Sequence, residues 1–195
     1  MKGKKMCRAP LWLNLYACLL IPAYTLLFAG ATQWFSSNFS VIAVMGRDNY
    51  RGFVLWGLLA GGYFLAVLIQ IGRTFWMRSV RRTMYLLTVS ACACLGCAIM
   101  VPYLPDYLPR FARLHVMWAF SACVLLMLAL LLALACAWRE NHARYARLLL
   151  AWAGIAAGSG VLFAAAGMVS SALEVFFTIA AAQLARSLWI RRLGR

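Results

Sequence analysis

The residue best placed to do chemistry is Glu174, a carboxylate about one turn into an otherwise apolar stretch near the C-terminal end of the chain. A charged side chain in such a setting is costly and normally turns toward a partner or a cavity. Ser170 and Ser171 precede it, Thr178 follows one turn later, and Ala181, Ala182 and Ala185 continue the same face at helical spacing. His115 opens another apolar stretch whose start falls on the same side as Glu174. Asp106, Arg110 and Arg113 lie in the loop before it, and Ser36, Ser37, Asn38, Ser40, Arg47, Asp48 and Arg51 in an earlier loop on that side. Glu174, His115, Asp106, Ser171 and Thr178 are therefore the candidate site. Two chemistries fit: a proton relay or ligand pocket in which carboxylate and imidazole change charge, or an ion pair or hydrogen bond that fastens helices and loops.

The remaining reactive residues point elsewhere. Cys92, Cys94 and Cys97 have metal-like spacing, but they sit in an apolar run that disfavours the thiolate a metal needs. The other cysteines, Cys7, Cys18, Cys123 and Cys136, pair in no loop where oxidation is expected. His142 lies among Arg139, Glu140, Arg144 and Arg147 and reads as solvated surface. With two histidines on opposite sides, no multi-histidine metal site can form. Nucleophile-elbow, phosphate-loop and zincin motifs are absent, so no cofactor is implied and enzyme activity has no positive support. Gly57 and Gly61, and Gly154 and Gly158, place small residues four apart and are expected to let helices approach closely. Asn14, Gln70 and Gln183 are expected to hydrogen-bond between helices.

What must hold these residues is set by composition. The chain is 66% hydrophobic and only 12% charged, with a mean hydropathy of +0.83, far more apolar than a soluble domain. Crossing a hydrocarbon core of about 30 Å takes about 20 apolar residues. Six stretches qualify, running approximately 11–31, 53–71, 84–103, 115–138, 148–167 and 171–190. The last two form a nearly unbroken apolar run, and a tight turn over Gly167, Met168, Val169, Ser170 and Ser171 is expected to divide it. The expected fold is an all-α, polytopic bundle of six transmembrane helices in a single domain.

The net charge of +15 is spread in short clusters between apolar stretches. It therefore suggests no nucleic-acid surface, and expects instead adhesion to anionic lipid headgroups. Fifteen of the 19 Lys and Arg residues fall on one side: Lys2, Lys4, Lys5, Arg8, Arg73, Arg78, Arg81, Arg82, Arg139, Arg144, Arg147, Arg186, Arg191, Arg192 and Arg195. By the positive-inside rule both termini are expected in the cytoplasm, with the Glu174 cluster facing outward. Trp34, Phe35, Tyr50, Tyr103, Tyr107, Trp76, Trp138, Tyr145 and Trp189 mark the expected interfaces. A Lys-rich start, an apolar run and Ala29-Gly30-Ala31 also match a signal peptide cleaved before Thr32, which would leave an odd number of spans and strain the charge alternation. No internal repeat is evident.

Asn38-Phe-Ser-Val-Ile-Ala-Val-Met-Gly, then Phe53-Val-Leu-Trp-Gly, and the passage from Pro105 to His115 resemble bacterial six-helix integral membrane proteins of uncharacterised function. That resemblance implies the six-helix fold and transfers no catalytic residue. The expected setting is a bacterial inner membrane. The expected function is a small carrier or lipid-handling protein with an outward-facing polar site, the alternative being a non-enzymatic accessory or scaffold subunit of a membrane complex; the sequence names neither a protein partner nor a homo-oligomer. A membrane enzyme ranks behind both.

Overall fold

The computed structural model describes residues 10–30 and 33–193. Lys2, Lys4, Lys5, Cys7, Arg8, Arg195 and the possible cleavage site at Ala31 and Thr32 lie outside them. The fold is an all-α membrane bundle: the described residues form seven helices, of which six are long and apolar enough to cross a bilayer. They are α1 (Leu11–Ala29), α3 (Arg47–Arg73), α4 (Arg78–Met100), α5 (Pro109–Glu140), α6 (His142–Ala166) and α7 (Ser171–Leu193). The seventh, α2 (Phe39–Val44), is a short helix in the α1–α3 connection.

Most spans run past the expected apolar limits into the charged flanks. The 32 residues of α5 reach about 48 Å at about 1.5 Å per residue, so its ends stand clear of a hydrocarbon core. In contrast, α4 stops short of Tyr103, because Val101 precedes Pro102 and is forced into an extended conformation (φ −93°, ψ 115°). The turn between α6 and α7 falls at Gly167, whose φ of +67° is left-handed and suits a residue without Cβ. After it, the Ser170 hydroxyl accepts from Leu173 N at 3.4 Å and starts α7. At the other end a single residue, Asn141, separates α5 from α6 and caps the latter by accepting from Arg144 N at 3.0 Å.

α1 contains one π-helical turn, Tyr16–Leu20, for which Pro22 supplies a physical reason. Ile21 N–H bonds to Tyr16 O, five residues back, and the next donor in that register would be Pro22, which has no N–H. The carbonyl of Ala17 is satisfied from outside the helix: Gln183 Nε2 donates to it at 2.5 Å. Beside it Arg186 Nε donates to Asn14 Oδ1 at 2.8 Å, and Tyr63 hydroxyl donates to Ala182 O at 2.9 Å. A polar seam thus ties α1 and α3 to α7. Gln70 is different, since it accepts from Arg73 on its own helix at 3.5 Å.

α7 packs against α1, α3 and α6, and α5 against α4 and α6. The facing surfaces carry small residues, with Ala129, Ala133 and Ala137 of α5 and Ala181, Ala182 and Ala185 of α7 fully buried. Outward faces bear Leu58, Leu86, Leu150 and Val161, large apolar side chains suited to lipid. Gly57 and Gly158 are close-approach points, since a Cβ there would stand 2.1 Å from Ile99 Cδ1 and 2.8 Å from the Phe176 ring. Gly61 faces Leu95 at 3.4 Å, and Gly154 faces open space, so the four glycines do not form one packing motif. Gly57→Leu is expected to cost about 1–3 kcal/mol by overpacking against α4, whereas Gly154→Leu should stay within about 0.5 kcal/mol of the parent. Thermal unfolding of both variants in detergent checks the pair.

Candidate functional site

The site is assembled on α2. Asn38 is its N-cap, accepting from Val41 N at 2.8 Å through Oδ1, the arrangement that lets a helix begin where backbone donors lack partners. The first donor, Phe39 N–H, is taken by Glu174 Oε2 of α7 at 2.7 Å. In return the first loop caps α7: Ser37 O accepts from Ser171 N at 2.7 Å and Trp34 O from Ala172 N at 3.0 Å. Two helix starts therefore close each other's open ends. Glu174 also belongs to the first turn of α7, where the helix dipole favours negative charge.

The next residue of α2, Ser40, meets His115 of α5 with 2.7 Å between Oγ and Nε2. Both are buried, with 8% and 4% of their surface exposed. On the other edge of the imidazole, Nδ1 is 2.8 Å from the carbonyl of Val101. A carbonyl only accepts, so Nδ1 carries a proton, and in the neutral ring Nε2 is left as an acceptor for the Ser40 hydroxyl. The Tyr103 ring lies 5.6 Å from the His115 ring, centroid to centroid. Glu174 and His115 are thus brought to successive residues of one short helix, and among the described residues no hydrogen bond or ion pair joins them.

Other members of the expected site are more scattered. Asp106 is exposed and lines a cleft of about 220 Å3 with Val41, Val44, Tyr103, Leu104, Pro105 and Tyr107. Ser171 is fully buried, and its hydroxyl has no hydrogen-bond partner among the described residues. Thr178 is buried farther along α7, on the face that Ala181, Ala182 and Ala185 continue. Cys94 is buried, Cys97 is exposed, and Cys92 Sγ donates to Gly61 O at 3.6 Å. Among the described residues no group of His, Cys, Asp and Glu could hold a metal ion. His142 is exposed and packs edge-on against Trp138 at 4.2 Å.

The opposite end, rich in arginine, holds a second polar cluster that charge counting missed. Arg192, only 3% exposed, donates through Nε and Nη2 to Thr74 Oγ1 and O at 2.9 and 3.1 Å. Its Nη1 donates to Glu140 Oε2 at 2.5 Å, and its guanidinium lies 4.2 Å from the centre of the Phe75 ring. One buried cation thereby joins the ends of α3, α5 and α7. Nearby, Arg144 and Arg191 each donate to the other's backbone carbonyl. The connection from α3 to α4 borders a cleft of about 820 Å3 lined by Arg73, Thr74, Phe75, Trp76, Met77, Arg78, Ser79 and Arg81. Trp76 is 97% exposed at its edge.

Set against protein-family models, curated proteins and solved structures, the chain matches none of them.

These two clusters answer differently to substitution. Glu174→Gln keeps an acceptor for Phe39 N–H and should preserve the fold, whereas Glu174→Leu strands that donor at a cost of about 1–3 kcal/mol. Arg192→Ala removes a buried cation and its bonds to Thr74, while the half-exposed Glu140 keeps its contact with water, and should cost about 1–3 kcal/mol. Urea or thermal unfolding in a fixed detergent measures both.

Proposed function

We propose that the chain is a lipid-handling protein of a bacterial inner membrane, with both termini in the cytoplasm and its arginine-rich end engaging anionic phospholipid headgroups. The observation that carries the reading is the cleft at the α3–α4 connection, where Arg73, Arg78 and Arg81 surround an exposed Trp76 and Met77. Guanidinium groups match phosphate with paired donors, and each cation near an anionic leaflet contributes on the order of 1 kcal/mol. An exposed indole at this level suits the headgroup region, where its apolar body and N–H are both accommodated.

Orientation is supported by the separation of charge along the bundle. Arg73, Arg78, Arg81, Arg82, Arg139, Arg144, Arg147, Arg191 and Arg192 belong to one end, while Arg47, Arg51, Arg110 and Arg113 belong to the other. The Glu174 and His115 cluster then faces outward, away from the headgroup cleft. Glu174 is bonded to backbone, and Ser40 and His115 to each other and to the Val101 carbonyl, which supports an anchoring role for Glu174 rather than a relay of protons through it.

Purified protein in nanodiscs tests the lipid reading. Unfolding temperature should be higher in phosphatidylglycerol than in phosphatidylcholine, and Arg78→Ala combined with Arg81→Ala should erase most of the difference. Equal stability of the parent in both lipids would sink the proposal. For orientation, a membrane-impermeant maleimide applied to intact spheroplasts should label Asp106→Cys and spare Ser79→Cys; the reverse pattern inverts the topology.

A further inference from the structure

Beyond headgroup binding, the geometry points to a second activity at the other end: we propose that Ser40 is a nucleophile, activated by His115, that takes the acyl group of a short ester admitted through the adjoining cleft. Three parts of a nucleophilic site are present in the order the chemistry needs. The hydroxyl of Ser40 is within hydrogen-bond reach of Nε2 of His115 at 2.7 Å. The base is oriented by a third group, the Val101 carbonyl, which receives Nδ1–H at 2.8 Å and leaves Nε2 as the proton acceptor. Serine and histidine are 75 residues apart in the chain and on different helices, which is why no sequence motif announces them.

Positioning comes from the same contacts that build the end of the bundle. Glu174 holds Phe39 N–H and thereby sets the place of the next residue, Ser40. It is a positioning residue, since it touches the helix and not the nucleophile. Ser40 and His115 do not themselves line the cleft of about 220 Å3; its wall is formed by their neighbours Val41, adjacent to Ser40, and Tyr103, whose ring lies 5.6 Å from that of His115, so the Tyr103 side chain is what must move to admit an ester. That volume is below the roughly 300–1,000 Å3 of drug-sized pockets, and Val41, Val44, Leu104 and Pro105 make its lining largely apolar, with Asp106 its one ionised group. A short acyl chain suits it.

In the first half-reaction Ser40 Oγ bonds to the ester carbonyl carbon as its proton passes to His115 Nε2, and the carbonyl π pair moves onto oxygen. Collapse breaks the bond to the alkoxy oxygen, which departs as an alcohol with the proton from Nε2. Water then attacks the acyl-serine, giving a proton to Nε2. Breaking the Oγ–acyl bond releases a carboxylic acid and returns that proton to Ser40. The balance is ester plus water to acid plus alcohol, and the Val101 carbonyl faces the imidazolium formed on the way.

The test is labelling of the full-length protein in detergent with an alkyl fluorophosphonate, followed by peptide mass spectrometry, with p-nitrophenyl butyrate as a turnover substrate. Phosphonylation should fall on Ser40, disappear in Ser40→Ala, and slow by about 100-fold or more in His115→Gln, the range lost with a general base. Tyr103→Ala, which removes the shared wall, should speed labelling. Unmodified Ser40 in folded parent protein at excess probe, or labelling confined to another serine, overturns the proposal. Labelling of Ser40 at an unchanged rate in folded His115→Gln overturns the role given to the histidine. Should His115→Gln fail to fold, the parent and Ser40→Ala still decide between a reactive serine and a packing hydroxyl.

Discussion

A backbone in hydrocarbon has no water to complete its hydrogen bonds, so each place where a helix starts, stops or changes pitch must be completed by protein. That requirement accounts for most of the polar contacts in this bundle. Pro22 leaves the Ala17 carbonyl without its local donor, and Gln183 supplies one from α7. Phe39 opens a short helix with a bare N–H, and Glu174 accepts from it. Ser171 and Ala172 begin α7, and carbonyls of the first loop take their donors. At the other extremity the Thr74 carbonyl at the end of α3 is met by Arg192.

Three of these completions originate on α7, the helix that packs against α1, α3 and α6. Glu174, Gln183 and Arg192 divide it into upper, middle and lower fastenings to α2, α1 and the ends of α3 and α5. Between them the buried face alternates the small Ala181, Ala182 and Ala185, which permit close contact, with the larger Val175, Leu184, Leu188 and Trp189. Its polar side chains add directional contacts to that packing, since each meets its partners at one height along α7.

The overall architecture was legible from composition and span length, because twenty-odd apolar residues in lipid leave few alternatives to a helix. The turn at Gly167 was legible too, from glycine followed by serine within an overlong apolar run. α2 escaped, since six residues from Phe39 to Val44 give too short a pattern to separate helix from loop, although Asn38 before an apolar run is a start signal in its own right. Arg192 was counted only as a basic residue of the flank; nothing in its neighbours in sequence reveals that Thr74 and Glu140 converge on it. Placing Glu174 and His115 on one side was a matter of counting spans, but their relation to Phe39 and Ser40 depends on tertiary contacts across 135 and 75 residues. Gly154 and Gly158 look alike in sequence, and only the second has a neighbour to accommodate.

The α6–α7 turn bears on how the chain enters a bilayer. Gly167, Met168, Val169 and Ser170 carry no charge, and the left-handed glycine lets the two helices fold back on each other within four residues. Moving this tip through hydrocarbon drags no arginine with it, unlike the α2–α3 and α4–α5 regions with Arg47, Arg51, Arg110 and Arg113. α6 and α7 can therefore insert together as a preformed helical hairpin, with Glu174 the single charge near its tip. In the assembled bundle the carboxylate accepts from the amide of Phe39, and the last pair of helices is latched to the first loop of the chain.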